Sequence, residues 1–376
     1  MIQRIAFSTD SLARGGKERQ MALLARSLIE CKFIFCFIAK RTDSGNNYLG
    51  EYGLSGEHVR TYSDFTGFRT AVRDFRPDIV VSWDARSSFF NLLLHRRLHY
   101  VFINGSIRHG IWEWKPDHLL RAAVCRLSPF VMANSFAGRR ANRLKPGRNR
   151  FVLYNGVDQD LSPRVTPAER EWLKDAFIPG YLKRPGIVFI SVANLVPYKD
   201  YHTVLRALSR VKQQRDDFWY LIAGDGPMKD EIVAAIRDQG LEENVMLLGR
   251  RHDIAELLRI PDVFIHSSRG EGISNAILEA MQAGLPVIAS DVGGVEETVY
   301  RGTSLLFPYG DDEILAERIY MVLGRSVREE TESEAYKNHL NRFSTETMVT
   351  GFLDILKAIT GRMQLEINET EPGCRI

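Results

Sequence analysis

Short apolar runs alternate with amphipathic stretches along most of this chain. Ile2–Phe7, Lys32–Ile38, Ile79–Ser82, Tyr100–Ile103 and Val131–Ala133 have the length and the β-branched and aromatic content of buried strands. After the first of them, Glu18–Ile29 brings Met21, Leu24, Ala25 and Leu28 to one side of a predicted helix. The second half repeats the scheme. Strands are expected at Gly186–Ala193, Trp219–Ala223, Val245–Leu248, Val263–His266 and Pro286–Ala289, with helices at Tyr201–Gln213 and Ala276–Ala283. Gly284 stops the latter helix and Pro286 prevents its resumption. Ile314–Leu323 and Met348–Ile359 also show helical apolar spacing. Strands separated by helices imply an α/β fold with parallel sheets and right-handed crossovers. Asn155-Gly156 is a strong turn signal, and Pro163, Pro167, Pro179 and Pro185 make the next stretch linker-like, with a short helix near Glu169–Ala176.

A length of 376 residues fits two domains or three. Hydrophobic content of 44% and charged content of 26% are ordinary for globular proteins. No run reaches about 18 apolar residues, so no transmembrane helix is expected, and the first residues read as a strand rather than a signal peptide. Cys31, Cys36, Cys125 and Cys374 have no metal or disulfide spacing and fit a reducing, cytoplasmic setting. The net charge of +3 hides an asymmetry: residues 86–150 hold 13 Lys and Arg against only Glu113 and Asp117. A solvated basic face is the plain reading. The functional one is attraction to an anionic membrane surface or an anionic acceptor. Nucleic acid is not expected, because no nucleic-acid-binding motif accompanies the charge.

The chemistry concentrates between Asp262 and Glu297. Ser267–Gly272 and Ser290–Gly294 are loops at strand ends, where open α/β sheets bind their ligands. Glu271 and Glu279 are separated by seven residues, a span of about 12 Å along a helix axis. Between them Gly272, Ile273 and Ser274 bring backbone N–H groups to a helix N-terminus, an end that favours phosphate. A ligand with a diphosphate between two polyhydroxylated rings, a nucleotide sugar, matches this arrangement. Other nucleotide motifs are missing: the loop around Gly15 and Gly16 is neither a dinucleotide fingerprint nor a P-loop.

The run EGISNAILE at 271–279 resembles the E-x7-E motif of retaining GT-B glycosyltransferases, in particular family 4, and GLPVIASDVGGVEE resembles that family's continuation. The resemblance covers most of the chain and is sharpest from Ser191 to Glu297. It implies two Rossmann-like domains whose parallel sheets face each other across a cleft: an acceptor-side domain at 1–160, a nucleotide-sugar domain at 161–343, and a helix at 344–360 that crosses back to the first domain. The polar segment 361–376 is expected to be disordered.

Residue by residue, the resemblance implies that Glu271 holds sugar hydroxyls near the reacting centre and that Glu279 grips the ribose. Asn194 and Lys199 fall where the family places an arginine and a lysine on the donor diphosphate; Asn194 departs from that pattern but can still donate a hydrogen bond. Gly16 belongs to a loop that closes over diphosphate or acceptor, Gly224 to a glycine turn beside the nucleotide, and Arg250 to the nucleobase pocket. His109 best matches a histidine or arginine near the transferred sugar, with Arg108 second; Trp112 and Trp114 could receive an acceptor. The expected activity is transfer of a sugar from a nucleotide-diphosphate sugar, UDP favoured, to a glycan or lipid-linked acceptor in cell-surface polysaccharide synthesis. No metal and no cofactor are expected, and the protein is placed in the cytoplasm or at the inner face of the membrane. A nucleotide-sugar epimerase of the same fold and a non-catalytic sugar-nucleotide or glycan-binding protein remain as alternatives.

Overall fold

The computed structural model describes residues 2–42, 47–108, 116–157, 165–323, 331 and 333–363. His109, Trp112, Trp114 and the tail from 364 onward lie outside the described residues. Two compact units divide the chain, one formed by Met1–Gly156 with the segment that starts at Phe343, the other by Val157–Arg342.

The first unit is built on seven strands: β1 (Arg4–Ser11), β2 (Ile34–Arg41), β3 (Val59–Thr61), β4 (Ile79–Ser82), β5 (Val101–Ile107), β6 (Phe130–Ala133) and β7 (Arg150–Val152). Their order is β3-β2-β1-β4-β5-β6-β7 and every pairing is parallel. Alternate residues of a strand point to opposite faces, and both faces are covered. Ile5, Phe7, Phe35 and Phe37 pack with Met21, Leu24 and Leu28 of helix Gly16–Glu30 and with Val349, Phe352, Leu356 and Ile359 of helix Thr345–Met363. Ala6, Cys36, Ile38, Val80 and Phe102 pack on the other side with Phe68 and Val72 of helix Phe65–Phe75 and Leu94 of helix Ala85–Leu98. Burial on two faces explains why these strands read as continuous apolar runs.

Two strands run further than their apolar runs. β1 continues through Ser8–Ser11 because pairing with β2 persists to Ser11↔Arg41. β5 takes in Asn104–Ile107, which sequence reading assigns to a loop. The register with β6 shifts between Asn104 and Ile107, so the strand is bulged. The Asn104 amide is accommodated by buried partners, accepting from Ser88 at 3.1 Å and Ser106 at 2.7 Å and donating to Ser128 at 3.0 Å. A buried polar group with its hydrogen bonds made is no obstacle to a strand.

The second unit has six parallel strands: β8 (Ile187–Val192), β9 (Phe218–Ala223), β10 (Val245–Gly249), β11 (Val263–His266), β12 (Val287–Ser290) and β13 (Ser304–Phe307). Their order is β10-β9-β8-β11-β12-β13. Helices Tyr201–Lys212, Lys229–Asp238 and Asp312–Leu323 cover one face and Asn275–Gln282 and Glu334–Asn341 the other. The direction of winding reverses between β8 and β11, and it is outside the carboxyl ends of strands at such a switch point that open α/β sheets bind their ligands.

Candidate functional site

The loop after β8 runs from Ala193 to Asp200 and the loop after β11 from Ser267 to Ser274. They are fastened to one another. Ser191 Oγ donates to Ile265 O at 2.6 Å below the strand ends, Arg269 N donates to Tyr198 O at 2.8 Å, and Ser267 Oγ donates to Asp200 Oδ2 at 3.3 Å. Asp200 sits in the left-handed region with φ 36° and caps helix Tyr201–Lys212 by accepting from Thr203 N, while Tyr201 Oη returns to Ala193 O at 3.0 Å. The neighbouring turn at Gly224–Pro227 closes on the same loop: Leu195 N donates to Asp225 O at 3.1 Å, and Met228 N to Leu195 O at 3.0 Å.

Glycine is required at Gly224 and Gly226 for contact with the protein itself. A Cβ on Gly224 would lie 1.9 Å from Ala193 O, and one on Gly226 would lie 2.5 Å from Leu195 O. These glycines let the 224–227 turn press against the 193–195 backbone. The same device supports Glu271. Gly294 N donates to Glu271 O at 2.8 Å, and Cβ atoms on Gly293 and Gly294 would fall 2.3 Å from Glu271 O and 2.4 Å from Gly272 O. Gly293 also needs its φ of +51°.

On this scaffold three polar side chains meet. Lys199 Nζ, in a short 3₁₀ turn, is ion-paired and hydrogen-bonded to Glu271 Oε1. His266 Nε2, at the last residue of β11, lies 3.0 Å from the same oxygen. Lys199 and Glu271 are each only 13% exposed at the side chain, and His266 is 2% exposed. Its ring stacks on Phe264 at 6.2 Å between centroids and 12° between planes. Burial acts to raise the Glu271 pKa, but the adjacent Lys199 ammonium and the His266 hydrogen bond override it and hold the carboxyl well below its ordinary value. Burial, reinforced by Lys199, lowers the His266 pKa against the opposing pull of Glu271. His266 is thus a neutral donor and Glu271 a carboxylate at neutral pH. Helix Asn275–Gln282 begins directly behind, with Gly272, Ile273 and Ser274 buried and no side-chain hydrogen bond from its N-cap Ser274. Glu279 is half-buried on that helix, Asn194 is exposed at the start of the β8 loop, and Arg250 is exposed just after β10.

Sequence reasoning missed His266, which reads as the last residue of an apolar strand. A signal existed: a histidine closing such a strand, five residues before the glutamate, is polar where its neighbours are not. Among the described residues, no group of three or more His, Cys, Asp or Glu is arranged to hold a metal ion.

In the first unit, residues at and just beyond the ends of β1 and β4 also cluster. Asp84 Oδ2 accepts from Asp10 N at 2.6 Å, and Lys17 Nζ lies 3.1 Å from Glu18 and 3.0 Å from Thr9 Oγ1. Gly16 opens the helix beside them. Arg108 stacks on Trp83 at 3.8 Å from the ring centroid and donates Nε to Gly105 O at 3.0 Å; burial pushes its pKa down to about 9.

Residues 178–339 match the family model described as glycosyl transferases group 1. N-acetyl-alpha-D-glucosaminyl L-malate synthase of Bacillus anthracis is 24% identical over 235 residues, 60% of this chain and 59% of that protein. The Escherichia coli UDP-Gal:alpha-D-GlcNAc-diphosphoundecaprenol alpha-1,3-galactosyltransferase is 33% identical over 147 residues, 38% of this chain and 37% of its own length. The chain thus spans less than two thirds of each of these two relatives. Among solved structures, the Anabaena protein HepE in complex with UDP and glucose superposes with a TM-score of 0.80 at 21% identity, covering 95% of this chain and all of that one. The superposition identifies the fold as GT-B, and residues 178–339, within the second unit, are similar to the glycosyl transferases group 1.

Proposed function

We propose that this protein is a retaining, family 4 glycosyltransferase that moves a sugar from a nucleotide-diphosphate sugar to a glycan or lipid-linked acceptor in polysaccharide or glycoconjugate synthesis. The observation that carries the reading is the convergence of Lys199 and His266 on one oxygen of Glu271 at the switch point of the second sheet. UDP is the favoured nucleotide: the Anabaena neighbour was solved with UDP and glucose, and the E. coli relative is named for a UDP-linked galactose donor and an undecaprenol-linked acceptor.

The demanding part of the reaction is the negative charge that develops on the leaving diphosphate as the anomeric carbon becomes positive. Donors fixed before the reaction stabilise that charge without reorganising. Lys199 and the backbone amides of Gly272, Ile273 and Ser274 fill this role in our reading, with Asn194 as a neutral donor in place of a second cation. A charge-assisted contact from Lys199 contributes about 1.5–3 kcal/mol. Glu271 accepts hydrogen bonds from the transferred sugar, and His266 holds it in place. Glu279 binds the ribose, Gly224 and Arg250 border the nucleotide, and Gly16 and His109 serve the acceptor side or the transferred sugar. The sugar leaves and is captured on the same face within a short-lived ion pair, which keeps the anomeric configuration. No metal or cofactor takes part in this scheme.

The test is incubation with UDP-, GDP- and ADP-sugars, with and without a lipid-linked acceptor, followed by chromatography and determination of product configuration. Transfer that requires acceptor and survives a metal chelator supports the reading. Acceptor-independent conversion of the donor identifies an epimerase, and ligand binding without turnover identifies a non-catalytic protein.

A further inference from the structure

Two neighbouring helices of the first unit turn apolar stripes outward. Phe89 and Leu93 of helix Ala85–Leu98 are 38% and 48% exposed, and Leu119, Leu120 and Leu127 of helix Pro116–Leu127 are 47%, 52% and 69% exposed. The helices pack side by side. Helix Phe65–Phe75 extends the apolar area on the other side of Ala85–Leu98, where the half-exposed Phe65 ring lies 5.1 Å from Phe90. At about 100° per residue, Arg86, Arg96 and Arg97 fall on the same arc as Phe89 and Leu93, and Arg126 on the arc of Leu119 and Leu127. All four arginines are exposed. The charge is predominantly positive: from 85 to 150 the sequence holds 13 Lys and Arg against Glu113 and Asp117.

We propose that this face docks on an anionic lipid bilayer, with the leucines and phenylalanines at the boundary between headgroups and acyl chains and the arginines on lipid phosphates. Large apolar side chains bordered by cations are what interfacial helices present to such a surface. The charge argues against a second copy of the chain as the occupant. A two-fold contact brings a patch against itself, so arginine would meet arginine. No helix among the described residues is long and apolar enough to cross a membrane, so the contact lies on the surface of the bilayer. The inference goes beyond the transfer reaction and does not depend on which sugar is moved.

Co-sedimentation of the full chain with vesicles tests it, using phosphatidylcholine alone and phosphatidylcholine with about 30% phosphatidylglycerol. The protein is expected to pellet with the anionic vesicles only, and to be released as NaCl rises from about 50 to about 500 mM. The double variants Leu119→Glu/Leu127→Glu and Arg96→Ser/Arg97→Ser are each expected to weaken binding by about tenfold or more, with unchanged melting temperature. Either double variant alone carries the test if the other fails to fold. Equal binding to both vesicle types, no binding to either, or anionic binding unaffected by both variants overturns the proposal. So does a wild-type dimer on gel filtration that the leucine variant dissociates. The thermal shift produced by UDP-sugars is read on the same samples, so a failure here is distinguishable from a failure of the donor-site reading.

Discussion

Nε2 of His266 lies 3.0 Å from Oε1 of Glu271, the oxygen that Lys199 also holds. His266 is locked by β11 and by stacking on Phe264, so it fixes where the carboxylate points. Replacing it with leucine should remove the hydrogen bond and leave the fold. Losing one charge-assisted bond of about 1.5–3 kcal/mol in the reacting geometry corresponds to a fall in kcat of about 10- to 100-fold. Steady-state kinetics should show kcat falling far more than donor KM rises, and His266→Gln should recover part of the loss. A proportional change in both parameters would assign His266 to ground-state binding instead.

Lys199 and Glu271 form a nearly buried pair, so removing one partner strands the other. Lys199→Ala should destabilise the protein by about 3–5 kcal/mol, and Lys199→Ala combined with Glu271→Gln should cost less than the sum of the two single changes. Denaturant unfolding of the four proteins measures this coupling. Both single variants should also lose transfer activity by orders of magnitude.

The pH dependence of stability follows from His266. Its folded pKa lies below the ordinary 6.5, because burial and Lys199 oppose protonation. On acidification the unfolded chain takes up a proton near the ordinary value while the folded protein does not. Stability is therefore expected to fall as pH drops below 6.5 and to level off beneath the folded pKa. His339, whose pKa is also lowered by burial, adds to the same window. Glu271 acts at lower pH: its depressed pKa contributes stability above the ordinary 4.5, lost as pH falls through the folded value. Unfolding midpoints at several pH values should show the upper window shrink in His266→Gln and persist in Glu271→Gln.

Gly294→Ala should disturb the site from behind. Its Cβ would lie 2.4 Å from Gly272 O, a backbone atom with no freedom to swing aside. Loop Glu271–Ser274 has to shift, at a cost of about 1–3 kcal/mol and with a large loss of turnover. Gly50→Ala, with nothing within 4 Å of the new atom, is the control and should stay within about 0.5 kcal/mol of the wild type. Comparing melting temperature and kcat of the two variants checks the argument.

Helix Thr345–Met363 is part of the first unit's core. Phe352 is fully buried and meets Phe7 edge-on at 6.3 Å between ring centroids. Phe352→Ala should destabilise the first unit by about 3–5 kcal/mol. Differential scanning calorimetry should show its transition move down, while the UDP-sugar shift of the second unit is retained.

Much of the α/β pattern was legible because strands buried on both faces leave unbroken apolar runs, as at Ile79–Ser82 and Val263–His266. Edge strands were not. Val59–Thr61 has three residues and is partly exposed, so it carries no apolar run, and Ser304–Phe307 is only half-buried at Leu305 and Leu306. The polar ends of β1 and β5 carry no local strand signal, because their strand character comes from partners far along the chain.

The amino-acid sequence by itself determined the alternation of strands and helices, the glutamates at 271 and 279 on a helix-opening loop, and the lysine at 199. These are local properties: periodicity, turn residues and spacing act within a few positions. Tertiary structure alone decided that Lys199 and His266 share one oxygen of Glu271, and that Gly293 and Gly294 carry the loop. The strand order brings β8 beside β11, and with them side chains 72 residues apart. No pattern within one segment encodes such a meeting, because it arises from the hydrogen bonding and packing of the whole sheet.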